Sequence, residues 1–249
     1  MSRLLVAVKS CFRDLDAGAH DNIRGTWGAY LRDRGIQTKF FLGRPSLELG
    51  GVIKSVHPTP QNSYSPKSDE VILECPDTYE GLVFKTRGIC QWMTDRALDH
   101  VLLVDTDCCV YPKRIEKSNY EIADYAGTFN GEWGACGPRE IRNKDGQMQL
   151  VDRVYSWASG AGYFLSRKAA TIIADTFPKA SVTLNGANED YWVGQVLGME
   201  ASRGEILSMP LEQRVVKYFL TPEGHSKGHD PKSSWMRDQW AAYLSGDYR

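Results

Sequence analysis

The chain has 249 residues, 42% hydrophobic and 24% charged, which is enough apolar material for one large core or two small ones. A formal net charge of -1 supplies no long-range attraction to nucleic acid or to an anionic membrane surface. No apolar run approaches the roughly 20 residues needed to span a bilayer, and six cysteines without a C-x-x-C spacing indicate neither a zinc site nor a disulfide framework. The adjacent Cys108 and Cys109 suit a reducing compartment, so a cytoplasmic location is expected.

Residues 4–8 (LLVAV) read as a first strand and not as a signal peptide, followed by a polar loop from Ser10 to Arg13. Residues 18–34 show helical spacing, with Ile23, Trp27, Tyr30 and Leu31 on one face and Gly35 as the stop. Residues 39–42 form a second strand. The glycine- and proline-containing stretch 47–68 reads as a long loop or lid. Residues 70–74 form a third strand, and Asp77 or Thr78 is placed to cap a helix beginning near Tyr79.

The most informative stretch is HVLLVDTDCCV, residues 100–110. Four consecutive apolar residues suit a strand covered on both faces in a mainly parallel sheet. Asp105 and Asp107 cannot remain in the core as bare charges, so they belong at its carboxyl end, where open α/β sheets bind ligands. Their hard oxygen atoms suit magnesium or manganese, and through such an ion a diphosphate. Beyond this lie a short helix opened by Pro112, a strand over 124–128, and a hairpin region over 130–149 containing Trp133. A buried strand over 161–165 precedes a helix from Arg167 to about Thr176, capped by Ser166. Asn188 is placed to cap the next helix, with Glu189 and Asp190 in its first turn. Residues 214–220 read as a last strand. Trp235, Met236, Trp240 and Tyr243 mark a terminal amphipathic helix. No repeat or domain boundary is visible, so residues 1–249 are expected to form one α/β domain, a central mainly parallel sheet flanked by helices. There is no P-loop, no G-x-G-x-x-G after the first strand and no G-x-S-x-G elbow.

Five segments in order resemble the β-1,3-galactosyltransferase and Fringe family of glycosyltransferases. They are IRGTW at 23–27, ECPDTYEGLVFKT at 74–86, the DTD strand at 101–107, the G-x-G-Y-x-x-S segment at Gly160, Gly162, Tyr163 and Ser166, and EDYWVG at 189–194. The third acid common in that family is Cys108 here, and the anchor, stem and paired cysteines of its luminal members are not seen, which resembles a minimal bacterial or viral form.

The resemblance implies a GT-A-type fold, a UDP-sugar donor, manganese or magnesium, and inversion at the anomeric carbon. Asp107 would ligate the metal, Asp105 would reach the ribose or a metal-bound water, and His225 or His229 would complete the shell. Asp190 would be the general base, with Glu189 orienting it or the acceptor. An acid in a first helical turn also favours the helix dipole, which is the plainer account of the pair. Arg24, Lys85 and Lys227 would serve the donor nucleotide, although Arg24 has Asp21 and Asp69 as competing partners. Gly160 and Gly162 would let the backbone approach a sugar closely, and Trp133 and Trp157 would stack on sugar faces. The acceptor expected is a glycan or lipid-linked saccharide. Alternatives are a hydroxymethylated DNA base, for which residues 139–144 are the basic stretch, and a silent sugar-binding module.

Overall fold

The computed structural model describes residues 3–45, 64–129, 136–142, 148–178, 189–218 and 235–246. The strands are β1 (Leu4–Lys9), β2 (Gln37–Arg44), β3 (Glu70–Pro76), β4 (His100–Asp105), β5 (Cys108–Val110), β6 (Tyr125–Phe129), β7 (Cys136–Arg142), β8 (Met148–Tyr155), β9 (Ala158–Ser166), β10 (Ser208–Pro210) and β11 (Val216–Tyr218). The helices are α1 (Phe12–Asp16), α2 (Ala19–Arg24), α3 (Trp27–Arg32), α4 (Leu82–Asp95), α5 (Pro112–Lys117), α6 (Arg167–Asp175), α7 (Glu189–Ser202) and α8 (Trp235–Ser245). Seven strands form the central sheet in the order β10-β6-β9-β4-β1-β2-β3, while β5 pairs with β11 and β7 with β8. Pairing is parallel throughout the central sheet except along β9, which runs antiparallel to both β4 and β6.

The apolar run of β1 is explained by its place between β2 and β4, where all six of its residues are buried. Its side chains alternate between two layers. Val6 and Val8 join Ile23, Trp27 and Leu31 on one face, with Met236 and Tyr243 of α8. Leu5 and Ala7 join Ile89, Met93, Ile173, Val193 and Leu197 from α4, α6 and α7 on the other. This is the mixed α/β, mostly parallel sheet flanked by helices that the element pattern indicated. The hairpin expected near 130–149 is β7–β8, which continues to Tyr155.

Three local expectations are corrected. The single helix over 18–34 is two helices, broken where Thr26 leaves helical geometry (φ -123°, ψ -121°) and its hydroxyl bonds back to the Asn22 carbonyl at 2.7 Å. The break buries Trp27, whose indole N–H donates to the Cys108 carbonyl at 3.1 Å. The polar segment after β1 is not a loop but opens helix α1, whose Phe12 N–H is capped by the distant Asp77 carboxylate at 2.7 Å. Asp77 therefore does not cap α4, which begins at Leu82. The strand expected from 214 begins only at Val216, as β11, and pairs with β5. Asn188, Trp133 and most of the expected lid lie outside the described residues, as do His225, Lys227 and His229.

Candidate active site at the carboxyl end of the sheet

Strand register sets Lys9 beside Asp105, each the last residue of a parallel strand. The buried Lys9 ammonium reaches Asp105 Oδ1 at 3.2 Å and Glu189 Oε2 at 2.8 Å. A lysine joins the strand-end acid of β4 to the acid that opens α7. Glu189 is held further by Thr86 Oγ1 at 2.6 Å and by the Tyr163 hydroxyl. Thr86 comes from α4 and Tyr163 from β9, so four elements meet on one carboxylate. Burial works against the charge on Lys9, but Asp105 and Glu189 outweigh it and hold the ammonium well above its ordinary range. Although 34% of the Asp105 side chain reaches solvent, burial pushes its carboxyl up to about 7, opposed by Lys9 and reinforced by Asp107 and Glu189.

Asp190 is the next residue of α7. Its Oδ2 accepts the Gly160 N–H at 2.9 Å and its Oδ1 accepts the Tyr191 N–H at 2.8 Å. Burial first, and then the Glu189 charge, raise its pKa, with Lys9 and the two N–H groups opposing. Gly160 matters because a Cβ there would lie 3.3 Å from Asp190 Oδ2. Trp157 stands edge-on to Tyr191 with ring centroids 5.2 Å apart, which sets an aromatic pair beside the acid.

Asp107 is buried two residues past Asp105, and the Cys108 thiol lies 3.6 Å from its Oδ1. That thiol also donates to the Ala161 carbonyl at 3.3 Å, so the position of the family's third acid is part of the core. Between the two acids, Thr106 Oγ1 donates to Asp14 Oδ2 at 2.8 Å, tying the DTD turn to α1. Among the described residues no trio of His, Cys, Asp or Glu is grouped to hold a metal ion. Asp105 and Asp107 nevertheless fit a hard divalent cation of the magnesium type. Such an ion is commonly held by one or two carboxylates, with substrate phosphates filling its shell.

The galactosyltransferase family profile matches residues 19–202, well over half of the chain and a span that includes the DTD and EDYWVG segments. The chain belongs to the galactosyltransferase family. Glycosyl transfer is accordingly its general activity. No curated protein matches it. Similar solved structures include the inositol-1-phosphate CTP transferase from T. maritima (10% identity over 100% of this chain and 98% of that one, TM-score 0.44). A 2-C-methyl-D-erythritol 4-phosphate cytidylyltransferase from Thermus thermophilus shares 12% over 90% and 94% at TM-score 0.40. A glycosyltransferase involved in the glycosylation of the major capsid of PBCV-1 shares 13% over 72% and 73% at TM-score 0.36. At these scores the likenesses carry no further argument. Among the described residues no helix is long and apolar enough to cross a membrane.

In this galactosyltransferase-family chain several sequence candidates have other occupations. The Lys85 ammonium is buried, pairs with Asp77 at 3.0 Å and donates to the Ser10 carbonyl. Asp77 in turn accepts from the N–H groups of Phe12 and Gly43 at 2.7 Å each. Lys85 thus forms an internal link between the ends of β1, β2 and β3. The Arg24 guanidinium is taken up by Asp21, Asp69 and Glu70 at 2.7–2.8 Å. Gly162 faces β11. A Cβ there would lie 2.5 Å from Val216 Cγ2, so its missing side chain makes room for β11.

Lys9 is the residue that sequence reasoning missed. Its signal was a charged residue closing a fully apolar strand, two positions ahead of the helix-opening Cys11-Phe12. The buried row Ser10 Oγ–His20 Nε2 (2.7 Å) and His20 Nδ1–Glu70 Oε1 (3.0 Å) was missed as well. Its members lie too far apart in sequence to suggest one another.

Proposed function

We propose that this chain catalyses inverting transfer of a hexose from a UDP-sugar to a hydroxyl group of a glycan or lipid-linked saccharide. In this reading Asp190 is the general base, and Asp105 and Asp107 are protein ligands to manganese or magnesium. The observation that carries it is the Asp190 carboxylate. Two backbone N–H groups orient it, its pKa is raised, and it stands one residue from an acid joined through Lys9 to the DTD strand.

Inversion needs a single in-line displacement. Asp190 takes the proton of the acceptor hydroxyl as that oxygen forms its bond to the anomeric carbon and the bond to UDP breaks. A carboxylate with a raised pKa is the stronger base for this step. The clamp from Gly160 and Tyr191 fixes its direction while leaving lone-pair capacity on each oxygen for the incoming proton. Glu189, held on three sides, keeps the first turn of α7 in place. The bound cation would supply Lewis-acid neutralisation of the departing diphosphate. Trp157 and Tyr191 offer an acceptor sugar an aromatic edge beside the base. A cytoplasmic setting completes the proposal, in keeping with five free thiols among the described residues.

The test pairs two variants. Asp190→Asn should keep UDP-sugar affinity within about threefold and lose transfer by about 100- to 10,000-fold. Asp107→Asn should abolish manganese-dependent UDP binding by calorimetry. Normal transfer by Asp190→Asn would place the base elsewhere, and unchanged binding by Asp107→Asn would remove the metal assignment.

A further inference from the structure

Four acids lie on the two segments that Lys9 joins, Asp105 and Asp107 at the end of β4 and Glu189 and Asp190 in the first turn of α7. Lys9 is the cation that the described residues set in contact with two of them. Every feature of this lysine is built. The strand register places it beside Asp105. By strand alternation it shares the face of Leu5 and Ala7, and its ammonium is 5.7 Å from the centroid of the Tyr163 ring. The Tyr163 hydroxyl and Thr86 then fix the far oxygen of Glu189. One chain of contacts therefore runs from the metal-side acid through Lys9 and Glu189 to the residue next to the proposed base.

We propose that Lys9 is a positioning residue that couples the two ends of the reaction site, holding Asp105 and Glu189 at a fixed separation so that the cation side and Asp190 stay in register. The proposal rests on the glycosyltransferase reading above for the reaction, but not for the charge coupling, which exists in the free protein. An ammonium 3.2 Å from Asp105 also repels any divalent ion bound to that acid.

The experiment uses Lys9→Met, which keeps the length of the stem and removes the charge, together with Lys9→Met/Glu189→Gln, in which neither partner is charged. Free manganese is titrated against the nucleotide-free full chain at pH 8 by electron paramagnetic resonance, and transfer is measured separately. In folded Lys9→Met, manganese should bind about three- to tenfold more tightly, as expected when a like charge several ångströms away is removed. At the same time kcat should fall about 100-fold with donor KM nearly unchanged, the signature of lost alignment. The double variant should transfer no more slowly than Lys9→Met, because both changes cut the same link.

Unchanged manganese affinity, or losses that multiply in the double variant, would overturn the proposal. If Lys9→Met does not melt cooperatively, the double variant is read instead, and failure of both to fold would make Lys9 a residue of stability alone. A wild-type chain that binds manganese but transfers no sugar would count against the proposed reaction, while the manganese arm still decides the coupling.

Discussion

Gly160 and Gly162 sit two residues apart on β9 and should fail differently when a methyl group is added. In Gly160→Ala the new carbon presses on Asp190 Oδ2 at 3.3 Å, so the carboxylate must move by a few tenths of an ångström. Transfer should drop about tenfold or more while the melting temperature hardly changes, since misplacement of a reacting group is costly. In Gly162→Ala the contact is Val216 at 2.5 Å, with Val104 close behind. The loss there should be about 1–3 kcal/mol of stability, read by urea unfolding, with the remaining folded protein active. The sequence motif presented these glycines as equivalent, because a glycine shows that space is needed and not what fills it. The strand-end position of Asp105 and Asp107 was legible for the opposite reason, since an ionised side chain at the end of an apolar run has few places to be. Asp190 stands in a first helical turn, as expected, and its family segment alone singles it out. Lys9 was not legible, because its partner Glu189 lies 180 residues away.

Glu70 offers a residue-scale test against acid. Burial raises its pKa, but hydrogen bonds from Tyr64, Arg24, the Lys67 N–H and His20 overcome this and bring it from 4.5 down to about 2. The folded-state value is therefore the lower one. Its contribution is present above the unfolded value and is lost as pH falls from about 4.5 toward 2. The amount is on the order of 3 kcal/mol. Unfolding midpoints measured from pH 6 to pH 3 should fall more steeply in the native chain than in Glu70→Gln, and parallel curves would contradict the assignment.

At the scale of elements, α7 is seated by absence of side chains. A Cβ on Gly194 would fall 2.1 Å from Trp157 Cβ, and one on Gly198 would fall 2.3 Å from Tyr155 Cβ. Between them Gln195 accepts from the Tyr155 N–H and donates to the Tyr155 carbonyl, both at 2.9 Å, so the helix is keyed to the end of β8. Gly194→Ala should push the whole helix outward. It should lose about 3 kcal/mol by urea unfolding and lower transfer as well, because Glu189 and Asp190 ride on the first turn. Activity intact after that loss would show that the acids do not depend on the seat. The elements legible in the sequence were those with long periodic patterns and local ends, such as α6 with its Ser166 cap at 3.2 Å from the Ala169 N–H. Those misread have ends fixed from afar, α1 by Asp77 and the break after α2 by the burial of Trp27, and the three-residue β10, which pairs with β6, was missed.

For the molecule as a whole, ligand binding and stability are linked. If UDP is the donor nucleotide as proposed, UDP at a hundred times its dissociation constant would add about 2.7 kcal/mol to the native state. The melting temperature should therefore rise more with UDP and manganese together than with either alone, and a screen of UDP-sugars under those conditions ranks the donors. An equal rise with UDP in the presence of a chelator would contradict the metal-dependent site.

The reversed direction of β9 bears on how such an enzyme can change over generations. Because that strand enters the sheet at the rim where its neighbours β4 and β6 leave it, Gly160 arrives at the Asp105 end of the sheet straight from the β7–β8 arm. The short tether of Ser156 and Trp157 therefore acts as a ruler between the β7–β8 hairpin and Asp190, the proposed base. One residue gained or lost in the tether would rotate the clamp off its acid. Insertions and deletions in this lineage should be absent from the tether.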